Sequence, residues 1–253
     1  MATTGLFIEI GEYPPEPEQQ ASLQQARGVV VGQSLFDQGR PEWLRQGELV
    51  VRCDDPERIA VTPAEDDDEP WLAVTGLERA AALRDRWPGR RWLPQLEVSK
   101  QEVVYHFNDS ALGEGFRFYI PDTGAIHGYV GNGDERIEAL LARAAGLGFD
   151  TLWLHGAGAE SRGRGLDLDL LERAGRHFDG DLWISGGARE ERHLFNLAAQ
   201  GGAAAVVVPQ PVALECGCER LLLALESGGD DAVPLGLPAM AATGDAAGRD
   251  RSG

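Results

Sequence analysis

Lysine is almost missing from this chain: Lys100 stands alone beside 22 arginines, and the basic residues are outnumbered by 41 aspartates and glutamates. The formal charge of −18 places a negative potential over most of the surface, which repels nucleic acid and anionic membranes, so neither is expected as a partner. Such acidity serves solubility, and it equally suits a protein adapted to high salt with a GC-rich coding bias. Cysteine is scarce as well. Cys53, Cys216 and Cys218 cannot supply a disulfide framework for 253 residues. Cys216-Gly217-Cys218 has no neighbouring His or Cys to complete a metal site, so it reads as packing at the start of a last helix over 214–225. No apolar run approaches the ~20 residues of a membrane span, and the N-terminus lacks the basic region and long apolar core of a signal peptide. These absences point to a cytoplasmic protein.

What the chain does have is alternation, clearest from Phe116 to Gln210. An apolar run at Arg117–Ile120, a turn at Pro121-Asp122-Thr123-Gly124 and a second run from Ile126 to Val130 read as a strand that doubles back. Ile137, Leu140, Leu141 and Ala144 then recur at helical spacing up to Gly146. Asp150 to Leu154, Asp181 to Ser185 and Ala203 to Val208 are short continuous apolar runs, the pattern of parallel strands buried on both faces. Helices are expected between them, at about 167–178 and through Leu194, Leu197 and Ala198. Three βα units in a row imply right-handed crossovers and a parallel sheet.

The first half is less regular but offers five further strand candidates: Gly5–Ile10, Arg27–Val31, Glu48–Arg52, Trp71–Val74 and Arg91–Leu96. Helix-like stretches fall at 18–26, 41–46, 77–87 and 99–107. Five strands here and three or four later make about eight, so the expected fold is a single α/β (βα)8 barrel over residues 1–227. Residues 228–253, rich in Gly, Ala and Asp, read as a disordered tail. The acidic run 64–70 reads as a solvated loop rather than a cation site.

In a (βα)8 barrel the reacting groups stand at the carboxyl ends of the strands. The residues there are Glu9, Asp54, Thr75, Asp122, His155, Ser185, Gly186, Gly187 and Gln210. A His at a barrel mouth suits proton transfer near neutral pH, although a hydrogen-bonded packing role is equally open. Ser185-Gly186-Gly187 ahead of a helix can present backbone N–H groups to an anion, or be no more than a tight βα turn.

Three pieces of this pattern carry a family resemblance: His127-Gly128-Tyr129 closing the doubled-back strand, the loop ending in Gly165-Leu166-Asp167-Leu168-Asp169, and Ile184-Ser185-Gly186-Gly187. Over residues 117–210 the chain resembles the barrels of histidine biosynthesis, ProFAR isomerase and the cyclase of imidazole glycerol phosphate synthase. The resemblance implies a (βα)8 barrel that performs an Amadori isomerisation on a small phosphorylated ribose-type metabolite, without cofactor or metal. Glu9 falls where that family has its first-strand acid. Its fifth-strand acid falls on Phe118, leaving two alternatives: a shifted strand in which Asp122 serves, or a missing group. His155 stands where the family has a Thr, and Gly156 where an acid often stands. Ser185, Gly186 and Gly187 would hold phosphate. Pro209-Gln210-Pro211 replaces the family's second glycine turn, and the prolines have no N–H to donate, so Arg162 and Arg164 would compensate. An alternative consistent with the altered positions is a paralogue that has lost the isomerase reaction. It would serve tetrahydromethanopterin-linked one-carbon metabolism, or bind without catalysis.

Overall fold

The computed structural model of the chain describes residues 3–38, 43, 47–60, 69–102, 127–131 and 135–230. The strands, in chain order, are β1 (Gly5–Glu9), β2 (Gly28–Gly32), β3 (Glu48–Arg52), β4 (Trp71–Thr75), β5 (Arg91–Glu102), β6 (His127–Val130), β7 (Thr151–Gly156), β8 (Asp181–Ser185) and β9 (Ala205–Pro209). All but β6 pair in parallel with a neighbour on each side. The order β1-β2-β3-β4-β5-β7-β8-β9 returns to β1, which closes the sheet. This is the expected eight-stranded (βα)8 barrel.

Closure follows from the apolar runs. A strand in such a barrel is buried twice, against side chains from across the ring and against the outer helices, so both parities must be apolar. In β1, Leu6 and Ile8 join the outer core with residues such as Leu23 and Leu225, while Phe7 faces inward. The interior is filled by Phe7, Val30, Val50, Leu93, Trp153, Trp183 and smaller neighbours. The rings of Phe7 and Trp183 stand 4.3 Å apart between centroids. At the amino-terminal end the Trp71 indole N–H donates to Glu48 at 3.2 Å. Arg27 pairs with Glu48 at 2.8 Å, and the Arg91 guanidinium lies 4.0 Å from the Trp71 ring centroid. That end is sealed by structure, which leaves the carboxyl end for chemistry.

The helices are α1 (Pro17–Leu23), α2 (Gln33–Phe36), α3 (Pro56–Ala60), α4 (Leu77–Arg86), α5 (Ile137–Gly146), α6 (Ala157–Arg162), α7 (Leu168–Gly175), α8 (Glu191–Gln200), α9 (Gln210–Cys216) and α10 (Cys218–Asp230). Two expectations need correction here. The helix expected over 214–225 is two helices, separated at Gly217, whose φ of +85° ends α9. Cys216 closes the first and the buried Cys218 opens the second, which continues past residue 227.

The stretch expected as helix from residue 99 instead continues β5, and Ser99–Glu102 pair antiparallel with Val130–His127 of β6. Ser99-Lys100-Gln101-Glu102 has no apolar stripe at helical spacing, and an adjacent strand satisfies its backbone more fully. The fifth place in the ring therefore belongs to Arg91–Val98, and the strand ending His127-Gly128-Tyr129 lies on its extension rather than in the barrel. Phe118 and Asp122 fall outside the described residues. No helix among the described residues is long and apolar enough to cross a membrane.

Candidate active site at the barrel mouth

Side chains in a strand alternate faces, so the inward parity set by Phe7, Val50, Leu93, Trp153 and Trp183 fixes what reaches the mouth. Two residues farther along each strand stand Glu9, Arg52, Gln95, His155 and Ser185, and Glu97 lies two beyond Gln95. Glu9 of β1 forms an ion pair with Arg52 of β3. The intervening inward position on β2 is Gly32, where an added Cβ would meet only Ser34 Oγ, at 4.0 Å, so no side chain of β2 separates the two. The Arg52 guanidinium also sits 5.9 Å from the centre of the Trp153 ring, on β7. A cation thus spans the mouth, with a carboxylate at one end and an aromatic floor beneath.

His155 has partners at both nitrogens. Nε2 lies 2.9 Å from a carboxylate oxygen of Glu160 on α6, and Nδ1 lies 2.9 Å from Ser185 Oγ. A carboxylate only accepts, so Nε2 carries the hydrogen. In the neutral ring Nδ1 then accepts the Ser185 hydroxyl hydrogen. The buried Trp153 indole N–H donates to the same Ser185 Oγ at 2.8 Å. The chain Trp153, Ser185, His155, Glu160 fixes both tautomer and ring orientation. Glu97 is the register partner of His155 across β5 and β7, and being two residues from Gln95 it faces the same side.

Ser185-Gly186-Gly187 closes β8 as expected, but its glycines have a structural cause. They hold φ of +92° and +95°. A Cβ on Gly186 would lie 2.6 Å from the Gly156 carbonyl oxygen, and one on Gly187 2.2 Å from that of Gly165. The 156–165 segment is packed directly on the turn, and the Gly165 N–H donates to the Gly187 carbonyl at 3.0 Å. Helix α8 begins with Glu190 and Glu191, carboxylates that already lie at the positive end of its dipole. At the end of the neighbouring strand β9, Pro209 and Pro211 flank Gln210, whose side-chain oxygen accepts from the Gly11 N–H at 3.3 Å. Arg162 and Arg164 flank the left-handed Gly163 at the end of α6, lining a cleft beside the mouth rather than the mouth itself.

Of the site residues read from sequence, the structure brings Glu9, His155 and Ser185 to the mouth. It sets Arg162 and Arg164 apart from them. Arg52, Gln95, Glu97 and Glu160 were missed. The first three were legible in principle from strand parity; Glu160 was not, because its approach depends on how α6 folds back. Asp54 and Thr75 flank the mouth on neighbouring strand ends, with Asp54 beyond the end of β3. Among the described residues no group of three His, Cys, Asp or Glu side chains converges to hold a metal ion. A comparison with protein-family models finds no match for this chain, and a search of curated proteins finds none.

Proposed function

We propose that this barrel is an acid–base enzyme, an intramolecular isomerase of the aldose–ketose type acting on a phosphorylated ribose-type substrate. The observation that carries the reading is the pairing of roles at one mouth. Glu9 is a carboxylate held by Arg52, and His155 is an imidazole held in one tautomer by Ser185 and Glu160. An isomerisation of this kind needs one group to protonate the ring oxygen as the sugar opens, and another to move a proton between adjacent carbons. Carrying a proton on both nitrogens, His155 can give the Nε2 proton to the ring oxygen once substrate displaces the half-exposed Glu160, which leaves the neutral ring with its hydrogen on Nδ1 donated to Ser185, and Glu9 can accept the proton from carbon. Glu97, the register partner of His155 on the fifth strand of the ring, offers a further carboxylate on the same side. The resemblance to ProFAR isomerase supports the substrate class.

A second reading, the paralogue that has left the ancestral reaction, is favoured by Pro209, Pro211 and the backbone packed on Gly186 and Gly187. Together they leave little of a two-turn phosphate cradle. Variants tested on ProFAR separate the two. Under the first reading Glu9→Gln and His155→Asn each lower kcat by roughly 10²–10⁴-fold with the fold intact by circular dichroism. Turnover unaffected by either change contradicts the assignment.

A further inference from the structure

The arginines of this acidic chain are neutralised almost everywhere. Arg52 pairs with Glu9, Arg79 donates to the Asp54 carbonyl, Arg220 pairs with Glu191, and the remaining described arginines have comparable partners. Arg162, Arg164 and Arg189 are the exceptions among the described residues: their guanidinium groups have no acceptor. Arg162 and Arg164 line one cleft, and Arg189 reaches Gly163 between them in sequence. Gly163, between the first two, would place a Cβ 3.3 Å from Arg189 Nε. Three uncompensated cations repel one another, and their gathering on a surface of net charge −18 runs against the supply of carboxylates.

A cleft of about 360 Å³ is lined by Lys100, Arg162, Arg164, Asp167, Asp169 and His193, among others. Its carboxylates are already engaged. Asp167 accepts from the Tyr129 hydroxyl at 2.6 Å and from the Leu170 N–H at 3.2 Å, and Asp169 pairs with Lys100 at 3.4 Å. His193 is only 7% exposed, and its Nδ1 accepts the Arg189 backbone N–H at 3.1 Å, which leaves the hydrogen on Nε2. That Nε2 makes no hydrogen bond, the nearest carboxylate oxygen being on Glu190 at 3.6 Å. Burial pushes the His193 pKa below its ordinary value, so the ring stands there as a neutral donor. Gly165, with φ of +114°, has no side chain to cover the ring edge: a Cβ there would lie 3.2 Å from Nε2.

We infer that this cleft is a phosphate-binding site, with Arg162 and Arg164 pairing with the anion oxygens, the His193 Nε2–H donating to it, and Arg189 adding charge from behind Gly163. Guanidinium groups match the planar spacing of phosphate oxygens, and a buried neutral donor gives direction that loose surface arginines lack. None of the cleft's lining residues is Glu9, Arg52, His155 or Ser185, so it stands apart from the reaction at the mouth. The phosphate is either the free ion or the group carried by a phosphorylated metabolite.

Calorimetric titration of the full chain with inorganic phosphate, at ionic strength fixed with KCl, tests this. Arg162→Gln/Arg164→Gln should weaken binding by at least about tenfold, and Arg176→Gln, which removes a distant pair with Glu172, should leave it unchanged. His193→Gln should weaken it while the thermal transition shows a folded chain. Ribose 5-phosphate binding more tightly than inorganic phosphate identifies the carried group as occupant; equal binding identifies the free ion, and either supports the site. Absence of saturable binding, equal binding by the double variant, or equal displacement by chloride overturns it.

Discussion

His155 shows how much of a residue's chemistry lies outside the residue. Its position at the end of an apolar run marked it as a mouth residue, but the hydrogen bonds that set its tautomer come from Ser185, two strand residues beyond Trp183, and from Glu160 on a helix. The Ser185 hydroxyl is shared between His155 and the Trp153 indole, a role separate from the backbone N–H that the Ser-Gly-Gly turn offers to an anion. Ser185→Ala should therefore lower turnover through a misoriented imidazole and shift the pH–rate profile. It also leaves a buried indole N–H unpaired, at about 1–3 kcal/mol of stability by denaturant titration.

Other residues make predictions independent of function. His193 has a folded pKa below the ordinary 6.5, because its burial disfavours the charged form. Below that pH the unfolded chain binds a proton that the fold resists, so stability falls on acidification and His193→Gln flattens the loss between about pH 7.5 and 5.5. The Cys53 thiol is pushed up to about 12, chiefly by burial and then by the Asp54 charge. Thiol reagents at pH 8 should leave it unmodified in the native protein and label it after unfolding; native labelling at the rate of an exposed thiol contradicts that environment.

At the level of elements, the strands were legible where both faces are buried, because continuous apolar runs admit few other readings. β5 beyond Val98 was not legible, since Ser99–Glu102 are polar and their strand state depends on β6, far along the chain. That long-range pairing also puts Arg91–Val98, and with it Glu97, in the fifth place of the ring, where Phe118 and Asp122 had been expected. Gly217 divides the last helix by a backbone angle that no periodicity reveals.

The Ser-Gly-Gly turn was recognised, but its cause was not: the close approach of the 156–165 segment. Gly187→Ala tests that cause against Gly76→Ala, which has a similar φ of +93° and open space around the added Cβ. Both bear the strain of a left-handed angle, roughly 1–2 kcal/mol. Gly187→Ala also drives a methyl against the Gly165 and Ala159 carbonyls, so its loss in stability should be clearly the larger. Equal losses would mean that the segment yields and the packing is loose.

For the whole molecule, barrel closure came from counting about eight strands, and the (βα)8 architecture told which ends to examine. The charge balance bears on stability rather than on fold. A net −18 repels itself across the barrel surface, and salt screens that repulsion over about 10 Å at 0.1 M and less at higher concentration. The thermal midpoint should rise from dilute buffer to molar KCl, measured by circular dichroism. A falling midpoint would mean that the surface arginine–carboxylate pairs outweigh the net repulsion.

The measurement closest to the central proposal is turnover of ProFAR by the purified chain, in dilute buffer and in molar KCl, followed by proton NMR. Glu9 and His155 acting as acid and base predict formation of the ketose product, lost in Glu9→Gln and in His155→Asn. A folded chain that forms no product in either buffer contradicts the isomerase reading and leaves the barrel mouth to a different substrate.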